Sequence, residues 1–151
     1  RSALYEVRRI IYDLRPMALD DLGLVPTLKM YISTIEEYHK GKPAISFTEV
    51  GTSNRLSNDL EVALFRLVQE SVQNAIKHAK AKLIQVKLEV NSKKVSIIVK
   101  DNGIGFDQTV KKTNSFGLIG MKERVDLIGG EIDIQSHPGK GTIVFIQIPI
   151  T

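Results

Sequence analysis

A chain of 151 residues with a formal net charge of +4, 42% hydrophobic and 25% charged, has the size and composition of one globular domain. The absence of cysteine excludes disulfides and thiolate metal sites and agrees with a reducing, cytoplasmic setting. No apolar run is long enough to span a bilayer, there is no secretory leader pattern, and lysines and arginines are scattered among acidic residues, so neither membrane nor nucleic acid is expected as a direct partner of this stretch.

In chain order, residues 2–15 carry Leu4, Val7, Ile11 and Leu14 at helical spacing and run into Pro16, which predicts a helix stopped there. Arg1 in place of methionine suggests a piece of something longer. Residues 16–22 read as a linker. Gly23–His39 holds Leu24, Leu28, Tyr31, Ile32, Ile35 and Tyr38, an amphipathic helix ended by Gly41 and Pro43. Ala44–Val50 alternates as a strand and is followed by a polar turn over Gly51–Arg55.

A long helix is expected from Leu56 to about Ala79, with Ser57 or Asn58 as N-cap and Glu61 positioned for a capping box. Leu64, Val68, Val72, Ala75 and Ala79 form its buried face. Glu70, Asn74, Lys77 and His78 share a second stripe at the margin of that face, while Gln69, Gln73 and Lys80 fall on the outer back. Polar residues beside a buried face ask for a partner more than polar residues on a solvated one. Ile84, Val86, Leu88 and Val90 then alternate with Gln85, Lys87 and Glu89 as a half-buried antiparallel strand, and Asn91–Lys94 forms a turn.

Val95, Ile97, Val99 and Asp101 share one face of the next strand. A carboxylate ending an apolar row is costly to bury without a donor. Gly103 and Gly105 follow directly, in a stretch that reads equally as hairpin-turn chemistry or as backbone able to approach a ligand closely. An acceptor-only carboxylate suits an amino group such as that of adenine. Gly117 and Gly120 open an apolar-periodic helix (Leu118, Met121, Val125, Leu127, Ile128), whose start would offer free N–H groups to phosphate. Gly129 and Gly130 stop it. Ile132 and Ile134 mark a strand, Ser136–Gly141 a loop, and Thr142–Ile150 the last strand, with Thr142 on the face of Val144, Ile146 and Ile148. This order predicts an α+β two-layer sandwich, helices on one face of a mixed, mostly antiparallel sheet. An amide oxygen at Asn74 would suit magnesium, and Lys77 could meet a phosphate as a point charge.

These motifs together resemble the ATPase superfamily of gyrase, heat-shock chaperones, histidine kinases and mismatch-repair proteins. Gln69-Glu70-Ser71-Val72-Gln73-Asn74-Ala75-Ile76-Lys77-His78-Ala79 is similar to its asparagine box, and Asp101-Asn102-Gly103-Ile104-Gly105 to its first glycine box. Gly117-Leu118-Ile119-Gly120 and Gly139-Lys140-Gly141-Thr142 resemble the later glycine boxes. Asp13-Leu14-Arg15-Pro16, Leu19-Asp20-Asp21-Leu22-Gly23-Leu24 and Gly120-Met121-Lys122-Glu123-Arg124-Val125 resemble the NarX/DesK-type sensor histidine kinases.

The resemblance implies a Bergerat-type ATP-binding catalytic domain over residues 17–151, preceded by the end of a dimerisation and phosphotransfer helix over 1–16. Cofactors would be ATP and magnesium; partners would be the dimerisation domain and a response regulator. Asn74 would hold magnesium and Asp101 the adenine amine, backed by Thr142, with Gly103 and Gly105 shaping the pocket. Lys77, Gly117, Leu118 and Gly120 would lie near the phosphates, with His78 at the rim. Residues 107–116 would be a lid, from which Lys111 and Lys112 could reach the phosphates. Glu70 sits where relatives that hydrolyse ATP activate water, and here would assist the attacking histidine or order the site. The family's acceptor is a histidine followed by an acidic residue; His39, His78 and His137 all lack that neighbour, so the acceptor is expected upstream of Arg1. A serine kinase or hydrolysing ATPase of the same superfamily, and a nucleotide-binding interaction module, are the alternative readings.

Overall fold

The computed structural model describes residues 17–51, 55–107 and 118–150. The expected helix over 2–15 and the expected lid therefore lie outside the described residues. The elements are α1 (Met17–Leu22), α2 (Leu24–Tyr38), β1 (Ala44–Gly51), α3 (Asn58–Asn74) with a π-helical turn over Ala75–Ala79, β2 (Leu83–Val90), β3 (Lys94–Asp101), α4 (Leu118–Leu127), β4 (Glu131–His137) and β5 (Gly141–Pro149). Five strands form one sheet in the order β1-β2-β3-β5-β4. β1 runs parallel to β2, as the α3 crossover between them requires, and every other pair is antiparallel. The α+β sandwich with a mixed, mostly antiparallel sheet is the observed architecture.

Period-two patterning fixes which sheet face is covered. Ile84, Val86, Leu88 and Val90 on β2, Val95, Ile97 and Val99 on β3, and Val144, Ile146 and Ile148 on β5 are all buried, whereas Gln85, Lys87 and Glu89 face outward. Burying each such aliphatic side chain contributes about 1.5–3 kcal/mol before the entropy of ordering is subtracted. The helices supply the other half of the core through Leu28, Ile32 and Ile35 of α2, Leu64, Val68 and Val72 of α3, and Met121 and Val125 of α4. Leu127, read from the sequence as part of the α4 stripe, is 86% exposed; it falls off the line that runs through Leu118, Met121, Val125 and Ile128.

Three local readings change. The expected linker at 16–22 is largely the helix α1, because Leu19 is fully buried and anchors it. Gly23 N donates to Leu19 O at 3.1 Å to close its last turn. Gly23 then takes φ 90°, a left-handed value that separates α1 from α2. Second, Ser57 is the α3 N-cap, accepting from Leu60 N at 3.3 Å, but Glu61 completes no capping box. Its buried carboxylate accepts instead from Arg55 Nε (3.1 Å), Arg55 Nη2 (2.9 Å) and Leu56 N (3.3 Å). Third, the outer back of α3 is not a solvated face. α2 covers it, so Gln69 is buried and Gln73 Nε2 donates to Tyr31 Oη at 3.0 Å, beside an edge-to-face contact of Tyr31 with Phe65.

The π turn lies where the helix reaches the site. Beyond Asn74 the helix widens over Ala75–Ala79 and stops at Lys80, whose φ 51° and ψ 41° are left-handed. Helix ends leave carbonyls without intrahelical partners. Here Ala79 O accepts from Ile104 N at 2.7 Å, so the glycine loop after β3 satisfies the end of α3.

Candidate functional site

A cleft opens between the end of α3, the ends of β3 and β5, and the start of α4. Asn74, His78, Asp101, Gly105, Leu118 and Thr142, all singled out from the sequence, line it. Gly103 lies just behind the wall. Lys77 and Gly120 are exposed and Glu70 is half-buried one turn before Asn74, none of them lining the cleft. Gly117, Lys111 and Lys112 lie outside the described residues.

The closed end of the cleft is a row across three strands. Register pairs Asp101 with Thr142 and Thr142 with Ser136, all on the covered face. Asp101 is 7% exposed and accepts from Gly103 N at 2.8 Å. Burial raises its pKa above the ordinary carboxylate value, while the backbone N–H groups of Gly103 and Thr142 pull it down. Apolar walls from Ala75, Val99 and Val144 flank this acceptor. The cleft thus has apolar flanks about one buried carboxylate, which fits a heterocycle bearing an amino group.

The glycine loop is clamped from both sides. A Cβ on Gly103 would stand 2.1 Å from Ala79 O, and one on Gly105, at φ 65°, would stand 2.1 Å from His137 O. Gly139 N donates to Ile104 O at 2.6 Å, tying the loop to the β4–β5 turn. Asn102 Oδ1 accepts from Lys82 N and Leu83 N, both at 2.9 Å, which ties it to β2. The glycines are therefore required for close approach of backbone to backbone, and the same approach sets Asp101 in place.

The open end is polarised by two helices. α3 ends at the cleft, so its partially negative terminus faces inward and favours a cation there. Leu118 at the first turn of α4 lines the opposite wall and brings a partially positive helix start, suited to phosphate. Asn74 Nδ2 lies 3.9 Å from Met121 Sδ of α4, which leaves the amide oxygen as the end suited to a cation. Among the described residues there is no group of three or more His, Cys, Asp or Glu that could hold a metal.

Sequence reasoning passed over two residues that the structure brings to the site. Phe106 lines the cleft, and Ser136, 1% exposed, stands behind Thr142. Ser136 carried a signal, a polar residue in phase with Ile132 and Ile134 on the covered face, but the predicted loop over 136–141 hid it. His39 and His137 do not line the cleft, although the His137 backbone packs on Gly105; His78 belongs to the lining.

The profile of the histidine kinase-, DNA gyrase B-, and HSP90-like ATPases matches residues 59–151. The signal transduction histidine-protein kinase/phosphatase DegS of Brevibacillus brevis is 56% identical over 151 residues, covering 100% of this chain and 39% of the relative. DegS of Bacillus subtilis is 55% identical over 142 residues, 91% of this chain and 37% of the relative. The oxygen sensor histidine kinase NreB of Staphylococcus carnosus is 34% identical over 147 residues, 97% and 42% respectively. The chain thus spans about two fifths of the length of these relatives. Among solved structures, the blue-light activated histidine kinase of Erythrobacter litoralis EL346 aligns with a TM-score of 0.69 at 25% identity, covering 84% of this chain and 42% of that one. The nucleotide-free catalytic domain of the histidine kinase ThkA aligns at a TM-score of 0.61 and 20% identity, over 85% of this chain and 93% of that one, a likeness of fold. With that profile matching more than half of its length, the chain belongs to the histidine kinase-, DNA gyrase B- and HSP90-like ATPases.

Proposed function

We propose that this chain is the ATP-binding catalytic domain of a two-component sensor histidine kinase. It would present the γ-phosphoryl group of ATP to a histidine on a dimerisation domain, for onward transfer to a response regulator. The likeness to DegS points to a DegU-like regulator. The observation that carries the reading is Asp101, an acceptor at the base of an apolar slot whose mouth lies between the end of α3 and the start of α4.

In this reading Asp101 accepts the adenine amine, Val99 and Val144 bound the ring, and Gly103 and Gly105 hold the loop close enough for that contact. Leu118 and the first turn of α4, with Gly117, Gly120 and Lys77, receive the phosphates. Asn74 is the protein ligand for magnesium, an ion that keeps several waters and takes its remaining oxygens from phosphate, so a single amide oxygen suffices. When bound, the ion would neutralise charge on the transferring group. Glu70, half-buried on the helix turn before Asn74, is left to order the site or to assist the attacking imidazole. Phosphoryl transfer depends chiefly on placing the attacking atom in line with the γ-phosphorus. His39, His78 and His137 are all unsuited to that role: each lacks the acidic neighbour of the family's acceptor, and His78 is anchored on the α3 end.

The test is transfer from radiolabelled ATP and magnesium. The chain alone should bind ATP without labelling itself. A separately supplied dimerisation domain should acquire acid-labile, base-stable label, weakly because the tether's effective concentration is lost. Acid-stable label on a serine-containing acceptor would favour a serine kinase. Label on the chain alone, removed by His78→Gln, would overturn the assignment.

A further inference from the structure

A basic groove lies on the other side of the π turn from the nucleotide cleft. Ala75, His78 and Ala79 line the cleft, whereas Ile76, Lys80, Ala81 and Lys82 line the groove, closed by Lys42 and Pro43 of the turn after α2. Lys40 stands in that same turn. All four lysines are exposed, and among the described residues none of them forms an ion pair. α2 and the π turn both end here. Each helix end offers about half a unit of negative charge, so two ends leave most of the positive charge unanswered. The backbone beneath is fixed: Lys42 N donates to His39 O and Ala44 N to Lys82 O, both at 3.1 Å, and Lys82 N donates to Asn102 Oδ1 at 2.9 Å. Lys40 (φ 57°) and Lys80 (φ 51°) are the only non-glycine residues among those described with a left-handed φ. Glycine is the cheaper residue at such helix-terminal positions. Lysine is kept there against the local backbone preference, a conflict of the kind that collects at functional sites.

We propose that this groove is the docking surface for an acidic segment of a separate protein, one that carries an apolar side chain between its carboxylates. The lysines meet the carboxylates, and the floor of Ile76, Pro43 and Ala81 takes the apolar side chain. The lining argues against other anions. Two helix C-termini bring carbonyls to this end, the reverse of a phosphate site. No arginine lines the groove to fork a phosphate, and no Phe, Tyr or Trp to stack a base. A concave lining does not fit a flat lipid surface. The longest acidic runs in this chain are Asp20-Asp21 and Glu36-Glu37, and the Glu36 carboxylate already accepts from Ile45 N at 2.7 Å. The described chain also enters and leaves at the far end of the sheet. Leu22 shares a cavity with Val90, and Ile150 N donates to Lys93 O. β2 runs from Leu83, beside the groove, to Val90, a span of about 23 Å at about 3.3 Å per residue. Segments continuing from either end start that far away, which favours a partner protein over the rest of the same chain.

The experiment is nuclear magnetic resonance titration of the chain with a terminally blocked pentapeptide of glutamates about a central leucine. Shifts should concentrate on the amides of His39–Lys42 and Lys80–Lys82. Raising salt to about 1 M, where the screening length falls to about 3 Å, should abolish them. A glutamine version of the peptide should not bind, and alanine in place of the leucine should weaken binding. Lys42→Gln combined with Lys82→Gln should weaken it by about fivefold or more, with circular dichroism unchanged. Lys40→Gly combined with Lys80→Gly should weaken it too, while melting no lower than the parent chain, because glycine relieves the backbone. No shifts at these amides, equal binding of the glutamine peptide, or parental binding by both lysine pairs would each overturn the proposal. A glycine pair that melts lower and binds the peptide unchanged would reduce the lysines to helix caps. Larger shifts at the same amides with oligothymidylate, or with phosphatidylglycerol vesicles, than with the peptide would overturn it in favour of a nucleic-acid or membrane surface.

Discussion

Replacing Asp101 by asparagine separates the two roles that the structure gives this carboxylate. It is 7% exposed at the end of the row Val95, Ile97, Val99, and it accepts from Gly103 N at 2.8 Å. A hydrogen bond to a charged group is worth about 1.5–3 kcal/mol, so the affinity for ATP should fall by roughly 10- to 150-fold at 1.4 kcal/mol per factor of ten. The nucleotide-free protein should respond in the opposite sense. Burial raises the pKa of Asp101 above its ordinary value. A carboxyl raised in the folded state favours folding below its unfolded pKa, and that contribution is lost as pH rises through the folded pKa. Asparagine does not titrate and its carbonyl can still accept from Gly103 N. Without nucleotide, Asp101→Asn should therefore melt at or above wild type at neutral pH, and the gap should shrink in acid. Calorimetry for binding and thermal melts across pH 4–8 measure the two effects (a range of about four units around the carboxylate and histidine values). Undiminished ATP binding would refute the pocket assignment. A variant that melts well below wild type at neutral pH without nucleotide would refute the burial argument.

Two further outcomes are expected from the site geometry. Asn74→Ala should weaken ATP binding far more in magnesium than in EDTA, because only the metal-bridged part of the contact is removed; equal losses in parallel titrations would reassign Asn74 to packing against Met121. Gly103→Ala would put a Cβ 2.1 Å from Ala79 O, the carbonyl that accepts from Ile104 N, and this overpacking should cost about 1–3 kcal/mol. Denaturant melts check it, and an unchanged midpoint would mean that the clamp between α3 and the glycine loop is slack.

The parts legible in the sequence are those set by local period and by glycine. Alternation on β2, β3 and β5 specifies strand identity and face together, which places Asp101 and Thr142 on the covered side without knowledge of any contact. The cleft residues Asn74, His78 and Gly105 are legible for a similar reason, polar or glycine positions interrupting an apolar pattern, whereas Leu118 is legible only through the resemblance of its glycine-flanked motif. The features that escape are set by tertiary packing. Gln69 and Gln73 read as solvated because nothing local announces that α2 lies over them. Glu61 reads as a cap because the sequence does not show that Arg55 folds back onto it. Residues 16–22 read as a linker because a short element held by Leu19 shows no period. Ser136 is lost to a strand boundary placed before it.

The widened turn at the end of α3 has a consequence for how this cleft can vary among related chains. A π turn reaches a given end point with one residue more than an α-helical path would need. Here both ends of that path are fixed, Val72 and Ala75 by the core and Ala79 by Ile104. Losing one residue between them would let the helix close in ordinary register without displacing either anchor, and the remaining residues would be shared out anew over the turn. Which side chain stands at the rim place that His78 holds would then depend on where the residue is lost. The mouth of the cleft can thus be re-lined by a change in chain length alone, while the Asp101 end, locked strand to strand, can change only by substitution.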